Sequence, residues 1–114
     1  MRGDMEALRA LVARVQVGWR VQAFGYGRNG GASSGTITAL VDDFYGSGPG
    51  YRRTLDRPVR SQGRTFTTGW GAWPKEGDDF EVVGDTLREY RNPPPHLGKP
   101  RQITVEITFI APTD

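Results

Sequence analysis

The stretch GYGRNGGASSGTITAL, Gly25–Leu40, decides how this 114-residue chain is read. Its first six residues carry the G-x-G-x-x-G spacing that brings backbone close to phosphate. A dinucleotide site needs a helix directly after those glycines, its N-terminus on the pyrophosphate, and an acid about twenty residues on. Asp42 and Asp43 fall near that distance, but residues 31–43, GASSGTITALVDD, hold two more glycines and two β-branched threonines. No room is left for a helix and a returning strand. A kinase-type glycine loop needs a strand lysine and metal-binding acids spread over a far longer chain, and the first lysine is Lys75. A phosphate loop of the Gly-Lys-Ser/Thr kind does not occur. The glycines are therefore expected to serve turn geometry between two strands.

Outward from the turn, the apolar pattern has a period of two. Val15, Val17, Trp19, Val21 and Ala23 alternate with polar residues and glycine before it, and Ile37, Ala39 and Val41 alternate with polar residues after it. Upstream, Asp4 is placed to cap a helix over residues 5–15, with Leu8, Leu11, Val12 and Val15 on one face. Downstream, residues 51–60 (YRRTLDRPVR), 64–73 (RTFTTGWGAW) and 80–83 (FEVV) read as strands. Pro58 marks an end, an edge or a bulge in the first of these. Five short strands with turn-rich connections predict a mainly β fold built on a small five-strand barrel. The tail differs: NPPPHLGKP, residues 92–100, predicts an extended proline-rich arm. It leads into a cleanly alternating strand in which Ile103, Val105, Ile107 and Phe109 share a face. The expected divisions are a helix (1–15), a barrel (16–85), a proline-rich arm (86–101) and a C-terminal strand (102–114).

Two segments carry a family resemblance. VGWRVQAFGYGRNGGASSGTITALVDD, residues 17–43, resembles the KOW hairpin of ribosomal proteins and transcription elongation factors. GWGAWPKEGDDFEVV, residues 69–83, is similar to the closing segment of Src-homology-3-like (SH3-like) small barrels. The resemblance implies an SH3-like barrel with a KOW-like first hairpin, the part of such barrels that meets RNA or protein.

Composition excludes several chemistries. The length suits one domain. Without cysteine there is no thiolate nucleophile or zinc–thiolate site, and with His96 as the lone histidine any Ser-His-Asp triad rests on one residue. Arg9 and Arg14 interrupt the N-terminal apolar stretch, so no signal peptide is expected. No apolar run reaches membrane-spanning length. The expected location is cytoplasmic, or within a larger assembly. Net charge is +2, but it is unevenly spread. Residues 52–64 hold five arginines and one acid, and residues 76–89 hold six acids and one base, a polarity suited to an anionic partner or to head-to-tail stacking.

These features predict a non-enzymatic interaction or assembly subunit, without cofactor or metal, that engages a protein partner or copies of itself. An accessory component of a large assembly, such as a virus particle, fits that description by analogy of fold. The expected contacts are Tyr26, Arg28 and Asn29 at the first hairpin, Tyr51 and Trp73, and the terminal strand residues Ile103, Val105, Ile107 and Phe109. Phe66 and Trp70 share a strand face opposite to that of Trp73, and are expected in the core with Trp73 under a loop. Pro93–Pro95 are expected to dock on Trp73 and Tyr51. The acids Asp78, Asp79 and Glu81 lack the order of a calcium loop and read as a solvated turn, and His96 reads as exposed. The alternative is a KOW-like nucleic-acid-binding module using Arg20, Arg28, Arg52, Arg53, Arg57, Arg60 and Arg64.

Overall fold

A computed structural model describes residues 3–26 and 31–113. The chain is mainly β, with one short α-helix and seven antiparallel strands in a single open sheet among the described residues. Helix α1, Met5–Arg14, begins where expected because the Asp4 carboxylate accepts from the backbone N–H groups of Glu6 and Ala7. Strands β1 (Arg20–Gly25), β2 (Ala32–Val41), β3 (Gly50–Ser61) and β4 (Arg64–Ala72) form one meander. Strands β5 (Phe80–Val83), β6 (Thr86–Arg91) and β7 (Gln102–Ile110) form a second. The sheet order is β4-β3-β2-β1-β7-β6-β5, so β1 and β7 join the two meanders.

Several expectations are corrected here. Seven strands in a linear order, with β4 and β5 as its ends, replace five strands closed into an SH3-like barrel. The strand expected from Val15 begins only at Arg20, because Gly18 takes a positive φ and the Trp19 N–H closes a turn onto the Gln16 carbonyl. Val15 is nonetheless buried, as the residue that ends α1.

The proline segment is not an arm carrying a remote strand. Part of the region assigned to it is β6, and residues 92–101 are a connection, with a 3-10 turn at Pro95–Leu97, between neighbours β6 and β7. That connection is tied down at both ends. Asn92 and Arg101 each donate to the buried Asp79 carboxylate, at 3.1 and 2.7 Å. Arg101 also stacks 3.8 Å from the centre of the Tyr90 ring. The missed strand β6 has a hairpin signal in Val83-Gly-Asp-Thr86: Gly84 takes the positive φ that a two-residue turn demands, and Val83 pairs with Thr86.

One face of the sheet carries the core. Leu8, Leu11 and Val15 of the helical segment pack over Val21, Ile37, Tyr51, Leu87, Ile107 and Phe109 from the strands, with Trp73 and Phe80 closing the sides. Tyr51, Trp73 and Phe109 meet with ring centres 5.0–5.5 Å apart. The opposite face is polar and matched across strands. Arg20 pairs with Asp56 and Arg88 with Glu106, while Thr86 and Thr108 share a hydrogen bond. No helix among the described residues is long and apolar enough to cross a membrane.

Candidate interaction surface

The sequence runs β3 and β4 past the rest of the sheet. Strand β3 pairs with β2 only as far as Gly35 and Leu55. Gly35 is required there, because a Cβ would collide with the Thr54 carbonyl. Beyond Leu55 the ladder to β4 is interrupted between Thr54 and Val59, around Pro58, and then resumes with Val59 opposite Phe66 and Ser61 opposite Arg64. A β-bulge is the natural place for a proline that cannot donate to the ladder. The two strands close through Gln62 and Gly63, both at positive φ, as a two-residue hairpin turn requires.

Every residue from 56 to 68 is exposed. This is therefore a two-stranded ribbon with both faces in solvent, anchored at its root by the core. Between its departing strand (56–59) and the start of β2 (32–34) opens a cleft of about 480 Å³.

The ribbon is strongly basic. Among the described residues, Arg52, Arg53, Arg57, Arg60 and Arg64 have no carboxylate within ion-pair distance. The lone acid of the segment, Asp56, belongs to Arg20, whose hydrogen bond holds its carboxyl below the usual range. Arg53 lies over Gly69 at the ribbon's root and donates to the Ser33 hydroxyl at 3.0 Å, while its Nε and Nη1 are buried without an acceptor among the described residues.

Half of the acids of residues 76–89 are ion-paired. Asp79 and Glu81 are held by Arg101, Asp85 by Arg14, and Asp78 accepts from the Lys75 backbone N–H. Glu81 also accepts from the Tyr90 hydroxyl, and that bond leads the causes raising the tyrosine's pKa.

The expected contact residues divide sharply. Tyr51 and Trp73 are core, as are Ile107 and Phe109; Ile103 and Val105 are half-buried in the same strand. Strand β7 is paired on both edges, to β1 and to β6, so it offers no free backbone to a neighbour. Pro93 and Pro94 line a shallow cleft with Arg91, Leu97 and Lys99, and Tyr51 and Trp73 are not part of it.

The assignment of aromatic faces is inverted. Trp73 is 6% exposed, whereas Trp70 and Phe66 are 43% and 44% exposed. Glycines 69 and 71 occupy the core face of β4, with Arg53 and Tyr51 lying across them, so the intervening Trp70 points outward. There it packs on Phe44 at 4.8 Å, with the Arg52 guanidinium 5.9 Å from the ring centre.

Tyr26 is half-exposed, in edge-to-face contact with Phe24, and its N–H extends the β1–β7 pairing to Thr104. Arg28 and Asn29 lie outside the described residues. Arg20 is engaged by Asp56 and by the Thr36 hydroxyl. The signal that locates the ribbon in the sequence is a long apolar-poor run on either side of Gln62-Gly63.

No protein-family model matches the sequence, no curated protein is significantly similar to it, and no solved structure matches its fold.

Proposed function

We propose that the protein is a non-enzymatic interaction or assembly subunit whose contact element is the β3–β4 ribbon. One observation carries this. Thirteen consecutive residues (56–68) are all exposed, yet beyond the interruption around Pro58 the two strands pair again and display Val59 and Phe66 beside each other. A two-stranded hairpin is marginally stable by itself, and a ribbon whose residues are all exposed adds little to the fold. Exposed apolar side chains framed by Arg57, Arg60 and Arg64 form an anchor with a charged rim, the anatomy of a protein-binding element. An accessory role within a larger assembly suits a small domain with one projecting arm.

A second reading, nucleic-acid binding, is favoured by the same unpaired arginines together with the exposed Phe66 and Trp70. A photo-crosslinking residue placed at Phe66, with a control at Leu97, separates the two in the cell that makes the protein. Protein adducts at Phe66 and few at Leu97 are the expected result. Nucleic-acid adducts would pass the site to the second reading, and equal adducts at both positions would remove the ribbon as the contact element.

A further inference from the structure

The two ends of the sheet are treated differently by the sequence. Strand β5 has four residues and carries Glu81 bound to Arg101. It is also tied to the N-terminal segment, since the Gly3 N–H donates to the carbonyl of Asp78 beside it. Short length, charge and cover are the usual protections of a sheet edge. Strand β4 is longer, with nine residues, and its one charge is Arg64 at the start: the next charged side chain is Lys75, and the first proline is Pro74.

Its free backbone can be assigned. The Trp73 N–H donates to the Pro49 carbonyl, and Ala72 lies opposite Gly50. Hydrogen-bonded pairs alternate along an antiparallel ladder. Gly71 and Gly69 therefore bond to Tyr51 and Arg53, while the N–H and C=O groups of Thr68, Trp70 and Ala72 face away from β3.

We propose that this edge, Thr68–Ala72, accepts an extended acidic segment of a partner polypeptide as an eighth strand. The proposal rests on the protein-interaction reading and specifies the partner's chemistry. Backbone bonds to Thr68, Trp70 and Ala72 supply affinity without regard to sequence, and side chains at alternate positions supply specificity. An incoming strand sets every second residue on the outer face beside Trp70. Acidic residues elsewhere in it reach Arg52 and the ribbon arginines, which have no carboxylate within ion-pair distance among the described residues. A second copy is the poorer occupant, because β4 against β4 would bring two arginine-rich ribbons onto one sheet, and the lone acid of each, Asp56, is already held by Arg20.

The test selects 12-residue linear peptides from a random displayed library on the full chain. The best are then remade with alternate backbone amides N-methylated, and with Asp and Glu replaced by Asn and Gln. Alternating apolar–acidic sequences are expected, with at least tenfold weaker binding after either change. Deuterium exchange at Thr68, Trp70 and Ala72 should slow at least tenfold on binding. Ala72→Pro, which removes an outward N–H that an edge strand can spare, should abolish binding while the thermal transition persists.

Acid-free or proline-rich selections, no selection, or indifference to N-methylation overturn the proposal. Peptide binding that survives Ala72→Pro but is lost in the R57A/R60A/R64A variant leaves the ribbon reading standing and removes strand addition. Binding of single-stranded dT20 with no peptide selected removes both. A dimer in sedimentation that Ala72→Pro dissociates makes the occupant a second copy and overturns the acidic partner.

Discussion

Tyr51 lies flat across Gly71, its direct cross-strand neighbour on β4, and any Cβ at that glycine would enter the phenol ring. The same ring meets Phe109 of the central strand β7, with ring centres 5.5 Å apart. Gly71→Ala should therefore overpack the aromatic cluster and cost roughly 1–3 kcal/mol in urea unfolding. The exposed Trp70 beside it should tolerate Trp70→Thr with a much smaller change.

The same tyrosine makes stability sensitive to alkali. Burial is the first cause raising its pKa, from 10.0 to about 12, with the Glu89 carboxylate adding to it. In the unfolded chain the phenol loses its proton near 10, in the folded chain only near 12. The folded state thus retains the proton longer, and stability falls as pH rises through that interval, by about 3 kcal/mol in all. Tyr51→Phe should flatten this part of the stability–pH curve, as measured by denaturant midpoints from pH 8 to 12.

Removal of β7 tests how the halves are joined. A chain ending at Asn92 leaves β1 and β6 each without one of its two neighbours and deletes Ile107 and Phe109 from the core. It should show no cooperative thermal transition, whereas a terminal strand merely appended to a complete domain would leave the transition in place.

Arg101 is expected to matter more than a surface arginine. It neutralises Asp79, whose side chain is 4% exposed, and covers Tyr90. Arg101→Ala leaves that carboxylate with Asn92 as its side-chain partner and should cost about 2–3 kcal/mol in a urea titration, below the full cost of breaking a deeply buried pair because the arginine is partly exposed.

The ribbon arginines should behave in the opposite way. Arg57→Ala, Arg60→Ala and Arg64→Ala together remove three charges that make no ion pair among the described residues. Their combined effect on the unfolding free energy should stay within roughly 0.5 kcal/mol. A large loss of stability would mean that the ribbon is part of the fold's foundation and not a projecting contact element.

Local chemistry was legible in the sequence wherever it depends on near neighbours. Asp4 before an apolar period capped a helix, FEVV formed β5, and the alternation of Ile103 to Phe109 formed β7. Pro58 falls in the interruption of the β3–β4 ladder between Thr54 and Val59, as its missing N–H requires. Strand β6 escaped because Leu87 is its one fully buried residue and the prolines after it dominate the composition.

What the sequence by itself determined is a mainly β chain with a short capped helix, an arginine-rich segment and a cleanly alternating last strand. Tertiary structure alone decided which face of β4 is inward, because that depends on Tyr51 and Arg53 needing the room left by Gly71 and Gly69. It alone decided that the acids of residues 79–85 are matched by Arg14 and Arg101, which are distant in sequence. It also set β7 in the centre of the sheet and left β4 at its edge, since strand order follows from which apolar faces bury together, and one strand's pattern is silent about its neighbours.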